Sequence, residues 1–124
     1  MIKIRQRDIR DLRLQILQEQ HNLCAICNEH LDIKEAVLDH DHKTGYIRAV
    51  LHRGCNAFIG HIENNQARNR ITPTRLQAIL KNFLFYTSTH RPIIHPTHKT
   101  PEERIERAKK RRKRNLGKSK PKTQ

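Results

Sequence analysis

Cys24-Ala25-Ile26-Cys27 and, further on, Leu38-Asp39-His40-Asp41-His42-Lys43-Thr44-Gly45-Tyr46-Ile47-Arg48-Ala49-Val50-Leu51-His52-Arg53-Gly54-Cys55-Asn56 decide the fold of this chain. A structural zinc site takes four sulfur or nitrogen ligands, usually as two pairs, each pair split by two residues on a tight turn. Cys24 and Cys27 form one such pair. His52-Arg53-Gly54-Cys55 repeats the spacing, and turns an odd count of 3 cysteines into a complete set of three thiols and an imidazole. Cys24, Cys27, His52 and Cys55 are therefore the expected ligands of a structural Zn2+. His21, His30, His42 and His61 also offer an imidazole, but only His52 reproduces the paired spacing. Without metal, the first pair reads as a turn with two buried thiols and Cys55 as an unrelated core residue. Four protein ligands close a zinc site to substrate, so this one is expected to staple the fold and perform no chemistry.

A staple is also what the composition calls for. Only 35% of the 124 residues are apolar, 4% are aromatic and Trp is absent, so an apolar core alone gives marginal stability. The mean hydropathy is -0.88. Upstream of the first pair, Ile9, Leu12 and Ile16 recur at helical steps with Leu14 and Leu17 beside them, which predicts an amphipathic helix ending near His21-Asn22. Val37 to His40 and Tyr46 to Leu51 are short stretches around Lys43-Thr44-Gly45, where Gly45 is free to take positive φ, and they predict a β-hairpin. Gly54 to Glu63 carries Ala57, Phe58, Ile59 and Ile62 at helical spacing. The core order is strand, strand, helix.

Residues 64 to 70 read as a polar segment. Thr72-Pro73 then suits the start of another helix, with Leu76, Ile79, Leu80, Phe83, Leu84 and Thr87 in phase until His90-Arg91-Pro92. That is the longest apolar face in the chain. From Lys99 onward come 12 Lys or Arg and 3 Glu, +9 of the total +14, with Ile105, Ala108 and Leu116 the apolar residues. Such a segment is expected to be disordered in the free state, with Glu102 to Arg114 able to become helical against phosphate. The resulting organisation is a helix over 1–22, a zinc-bound core over 23–63, a helical extension over 64–98 and a basic tail over 99–124.

A sequence pI near 10.5 points to a polyanionic partner, and nucleic acid is the leading one. Lys109, Lys110, Arg111, Arg112, Lys113 and Arg114 are the expected phosphate contacts, although a charge run of this kind also serves simply as a solvated face. The basic tail lacks the apolar face of a membrane-surface helix, and no run approaches the roughly 18 to 20 apolar residues of a membrane span. The charged start lacks the features of a signal peptide, so a soluble cytoplasmic protein with reduced thiols is expected.

Asp39-His40-Asp41-His42 sits between the two ligand pairs, and Asn56 directly follows the second. Phosphodiester hydrolysis needs an activated water, a cation on the phosphate and charge relief at the leaving oxygen. Imidazole suits the first task, and the oxygens of Asp and Asn suit Mg2+ or Mn2+. His40 is the expected general base, with Asp39 and Asn56 holding the catalytic cation. Neighbouring residues on a flat strand face opposite ways, so an irregularity is expected where Asp39 and His40 must act together. The plainer readings of the stretch are a polar loop, or a second zinc site using His40 and His42.

CAIC followed by LDHDHKTGYIRAVLHRGCN resembles the recombination endonuclease VII family of phage junction resolvases, within the His-Me finger (HNH) nucleases. The resemblance runs from about Leu14 to Pro96. It implies an α+β fold with a small zinc-stapled ββα-metal core flanked by helices. It also implies a metal-dependent DNA endonuclease acting on branched or junction DNA as a homodimer, in the host cytoplasm if phage-encoded, with the helix from Pro73 to about Thr89 serving either as the dimer interface or as packing within the chain. By position, Asp39 and Asn56 correspond to the metal-binding pair and His40 to the water-activating residue. His52 stands where the family commonly has Cys, Ile59 where an acid is frequent, and Val37 where a His precedes the Asp. A second reading is a non-catalytic zinc module that binds DNA or RNA through a degenerate nuclease site.

Overall fold

The computed structural model describes residues 2–118. The expected order of elements is present: helix α1 (Ile9–Glu19), strands β1 (Ala36–His40) and β2 (Ile47–His52), then helices α2 (Arg53–Arg68), α3 (Pro73–Ser88) and α4 (Pro101–Lys118). Short 3-10 turns at Gln6–Asp8 and Ile33–Glu35 precede α1 and β1. The mixture of helices with one two-stranded sheet agrees with the α+β expectation. The chain divides into two compact units, Met1–Asn82 and Phe83–Gln124.

The first unit is organised by an abrupt change of direction after α1. His21 and Asn22 take left-handed φ values of 55° and 58°, and the Asn22 N–H donates back to the Leu17 carbonyl at 3.0 Å. Asn tolerates this region because its short polar side chain can bond locally. The knuckle follows at once. The Cys24 N–H donates to Glu29 O at 2.9 Å, and the Asn28 N–H donates to Cys24 O at 3.0 Å, with Asn28 itself left-handed.

Among the described residues, six make the buried core: Leu17, Cys24, Leu31, Ala36, Val50 and Leu51. Ile16, Ile33, Leu38, Cys55 and Ile59 pack against them. So small a set ties α1, the knuckle and the hairpin to one point. Gln20 completes the join. Its carboxamide accepts from the Val50 N–H and donates to the Val50 carbonyl, both at 2.9 Å, and it also reaches Leu23 O at 2.8 Å. A side-chain amide thus pairs with the outer edge of β2 as a third strand would.

The hairpin turn is built by Asp41, whose Oδ1 accepts from the N–H groups of Lys43 (2.7 Å) and Thr44 (3.1 Å), while Gly45 adopts φ 79° as expected. One helix boundary differs from expectation. Helix α2 continues through the supposed polar segment to Arg68, because residues 64 to 68 contain neither Gly nor Pro and Asn69 Nδ2 caps the Asn65 carbonyl at 2.9 Å. Thr72 caps α3 as expected, accepting from the Arg75 N–H.

The larger correction concerns the basic tail. In place of the expected disordered segment from Lys99, Pro101–Lys118 is helical. Thr100-Pro101-Glu102-Glu103 is a capping box: Thr100 Oγ1 accepts from the Glu103 N–H at 3.1 Å, and Glu103 Oε2 accepts from the Thr100 N–H at 3.4 Å. Proline at the first helical position and acids in the first turn complete the start signal. Residues 119–124 of that tail lie outside the described residues.

Candidate active site and metal centre

Cys24, Cys27, His52 and Cys55 come together. Their ligand atoms all lie within 4.8 Å of one another, the separation expected of groups able to close around one small ion. Tetrahedral zinc with bonds near 2.3 Å brings its sulfurs to about 3.8 Å, a small contraction from this arrangement. Cys24 is fully buried, Cys27 exposed, and His52 and Cys55 half-buried.

The orientation of the imidazole supports the same use. Its Nε2 lies 2.8 Å from the His30 carbonyl oxygen, which can only accept, so Nε2 carries the proton. In the neutral ring Nδ1 then presents its lone pair, and it faces Cys27 Sγ at 3.3 Å and Cys55 Sγ at 3.9 Å. A backbone carbonyl that fixes the tautomer is the usual outer support of a metal-bound histidine.

The thiols are unequal. Burial pushes Cys24 up, but the N–H groups of Cys27, Ile26 and His52, with the His52 ring, outweigh it and hold Cys24 at about 6. Burial and the neighbouring Cys27 and Cys24 sulfurs push Cys55 up to about 11. His52 is raised by its bond with Cys24 and then by the His30 carbonyl. Thiolate is the metal-binding form of cysteine, and the N–H groups around Cys24 favour that form there. Three thiols and one imidazole are a donor set that zinc accepts.

At the end of β1 the ladder is irregular, where an irregularity was expected. Asp39 pairs with Ala49, but His40 pairs with Ile47, so the ladder passes over Arg48. Asp39 is 7% exposed, buried at the base of this bulge, whereas His40 is exposed and stacks obliquely on His42 with ring centres 4.8 Å apart. Asn56 is half-buried in the first turn of α2, next to Cys55 of the thiol cluster.

Arg48 and Glu63 are the residues that sequence reasoning missed. Arg48 forks the Asp39 carboxylate, Nε to Oδ2 at 2.8 Å and Nη2 to Oδ1 at 3.2 Å, and its Nη2 also bonds Glu63 Oε1 at 2.8 Å. Asp39 first, and then Glu63, drive the guanidinium still further above its ordinary range. The available signal was a charged residue inside the otherwise apolar run Ile47 to Leu51, and Glu63 seven residues after Asn56 on one helix.

Lys109 to Arg114 lie on α4, in the second unit. As a helix this run points in every direction. An open groove is lined instead by Lys99, Arg104, Arg107, Lys110, Arg111 and Arg114, together with Ala108.

No helix of the described residues is long and apolar enough to cross a membrane. Comparison with curated proteins gives no match. Residues 2–81 match the family model of recombination endonuclease VII. That stretch holds the thiol cluster, the bulged hairpin and all of α2, and the chain belongs to the recombination endonuclease VII family.

Proposed function

We propose that this chain is a metal-dependent DNA endonuclease of the His-Me finger (HNH) type, acting on branched DNA, with a structural zinc held by Cys24, Cys27, His52 and Cys55. The observation that carries the reading is that exposed His40 directly follows buried Asp39 at one bulge, within a family of endonucleases. His40 accepts a proton from water at its ring nitrogen, and the oxygen so activated attacks phosphorus. The P–O3′ bond breaks with its electron pair going to O3′, which takes a proton from solvent water, leaving a 5′ phosphate and a 3′ hydroxyl. Exposure suits His40 to this role, because the base must meet both bulk water and a phosphate too large to enter the core.

Asp39 and Asn56 offer the oxygen donors that Mg2+ or Mn2+ prefer. Bound there, the cation would supply charge stabilisation at the departing oxygen. The zinc cluster has a positioning task. Cys55 is clamped to the knuckle, so Asn56 is held at the start of α2, directly after β2, which pairs with the strand of Asp39 and His40. α4 supplies phosphate contacts along its Arg104, Arg107, Arg111 and Arg114 face, and those four side chains recur at helical steps of three or four. A homodimer in the cytoplasm is part of the proposal. Phe83, Leu84, Phe85 and Tyr86 of α3 are between 52% and 78% exposed, an apolar run that a second copy would cover.

The test is cleavage of supercoiled plasmid and synthetic four-way junctions by zinc-loaded protein with Mg2+ or Mn2+. His40→Ala should lower the rate by about 10²- to 10⁴-fold while DNA binding persists. Equal rates for wild type and His40→Ala would reject the assigned base. Binding with no cleavage by wild type would instead favour a non-catalytic zinc module for DNA or RNA, a reading that the fork of Arg48 on both Asp39 oxygens favours.

A further inference from the structure

Arg48 serves two acids with one guanidinium. Its Nη2 sends one hydrogen to Asp39 Oδ1 and the other to Glu63 Oε1, while Nε holds Asp39 Oδ2. The two acids belong to different elements, Asp39 to β1 and Glu63 to α2. They also differ in setting, since the Asp39 side chain is 8% exposed and that of Glu63 is 39% exposed. Arg48, at 37%, spans from the buried acid to the surface one.

On the reading of Asp39 as an oxygen donor to the catalytic cation, the same carboxylate attracts two cationic groups. A guanidinium that already occupies both oxygens repels a dication brought within a few ångströms, and the repulsion is weakly screened at a buried site. One of the two must give way. Glu63 is already in place as the other acceptor, and the bulge leaves Arg48 outside the strand ladder, so its side chain can swing without disturbing strand pairing. We infer that Arg48 is a positioning residue that trades Asp39 for Glu63 when a divalent cation takes the Asp39 carboxylate. Until then the guanidinium keeps the buried carboxylate paired and correctly turned. Afterwards it stands on Glu63 at the rim of the site, with donors free toward an incoming phosphate.

The test measures Mn2+ binding to the zinc-loaded full chain without DNA, from loss of the free Mn2+ electron paramagnetic resonance signal. Glu63→Gln should weaken binding by about threefold or more, because Arg48 loses its alternative and stays on Asp39. Arg48→Gln should tighten binding by about threefold or more. Simple through-space charge effects share those signs, so the double variant decides. On the Arg48→Gln background, adding Glu63→Gln should change affinity by less than about 1.5-fold, since no exchange remains for Glu63 to assist. Additive effects in the double variant overturn the trade, as does an unchanged affinity in Glu63→Gln, a variant at a half-buried surface acid that leaves the Arg48–Asp39 pair in place. Asp39→Asn separates the two levels of the inference. Loss of Mn2+ binding there upholds Asp39 as a cation donor whatever the cycle shows, and retained binding overturns the cation reading and the trade together.

Discussion

Replacing Gln20 with Met keeps the length and bulk of the side chain and removes its amide. Val50 is fully buried, and its N–H loses the acceptor it meets at 2.9 Å. The Val50 carbonyl keeps one donor, the Ala25 N–H at 3.3 Å, while the Leu23 carbonyl loses the Gln20 amide. An orphaned buried N–H costs about 1–3 kcal/mol, and the two weakened carbonyls raise the expected loss to about 2–3 kcal/mol. For a unit of this size each kcal/mol moves the midpoint by about 4–8 °C, so Tm should fall by about 10–20 °C. The measurement is thermal unfolding followed by far-ultraviolet circular dichroism, with free zinc buffered at one level because a bound metal shifts Tm by mass action. Gln20→Glu is a sharper companion. It preserves an acceptor for the Val50 N–H but turns a carboxylate toward the Val50 carbonyl, and should be at least as damaging. If Gln20→Met melts within about 3 °C of wild type, the amide is not closing the strand edge and water replaces it readily.

Removing zinc with a strong chelator should unfold the first unit, because structural zinc contributes about 10–16 kcal/mol where whole domains keep only about 5–15 kcal/mol. A cooperative melt that survives chelation would contradict the stapling role. Acid should loosen the hairpin turn. The Lys43 and Thr44 N–H groups hold Asp41 below its ordinary value of 3.8, so its stabilisation is complete above that pH and is lost as pH falls through the lower folded value. Asp41→Asn keeps the acceptor oxygen without the titration, so the Tm gap between wild type and variant should narrow below about pH 4, and a constant gap would remove the carboxylate from the account. Reversing charge at Arg107 and Arg111 should flatten the dependence of log K on log salt for duplex DNA by about two, at roughly 0.9 per phosphate contact. An unchanged slope would take α4 off the DNA.

The cluster of three thiols and an imidazole and the hairpin were legible in the sequence because both are local codes. A repeated two-residue spacing reports a pair of ligand turns, and β-branched runs around a glycine report a hairpin. The bulge between Asp39 and His40 was also inferable from the task proposed for the pair, since adjacent side chains on a flat strand face opposite ways. Gln20, Arg48 and Glu63 were not legible. Each acts on residues 9 to 30 positions away, and polar side chains carry no periodic signature that says whether they face water or a partner. The tail shows a different failure. Composition argued for disorder, while four residues, Thr100-Pro101-Glu102-Glu103, encoded a helix start that a charge count overlooks.

The single imidazole among the sulfurs has an electrical consequence. A divalent ion held by four thiolates is a doubly negative knot, whereas three thiolates and a neutral ring leave one negative charge. Cys55 and Asn56 are consecutive, so whatever charge the knot keeps sits beside the place proposed for a phosphodiester. With His52 in place of a fourth sulfur, a zinc bound here would set half as much negative charge in the approach path of a polyanion.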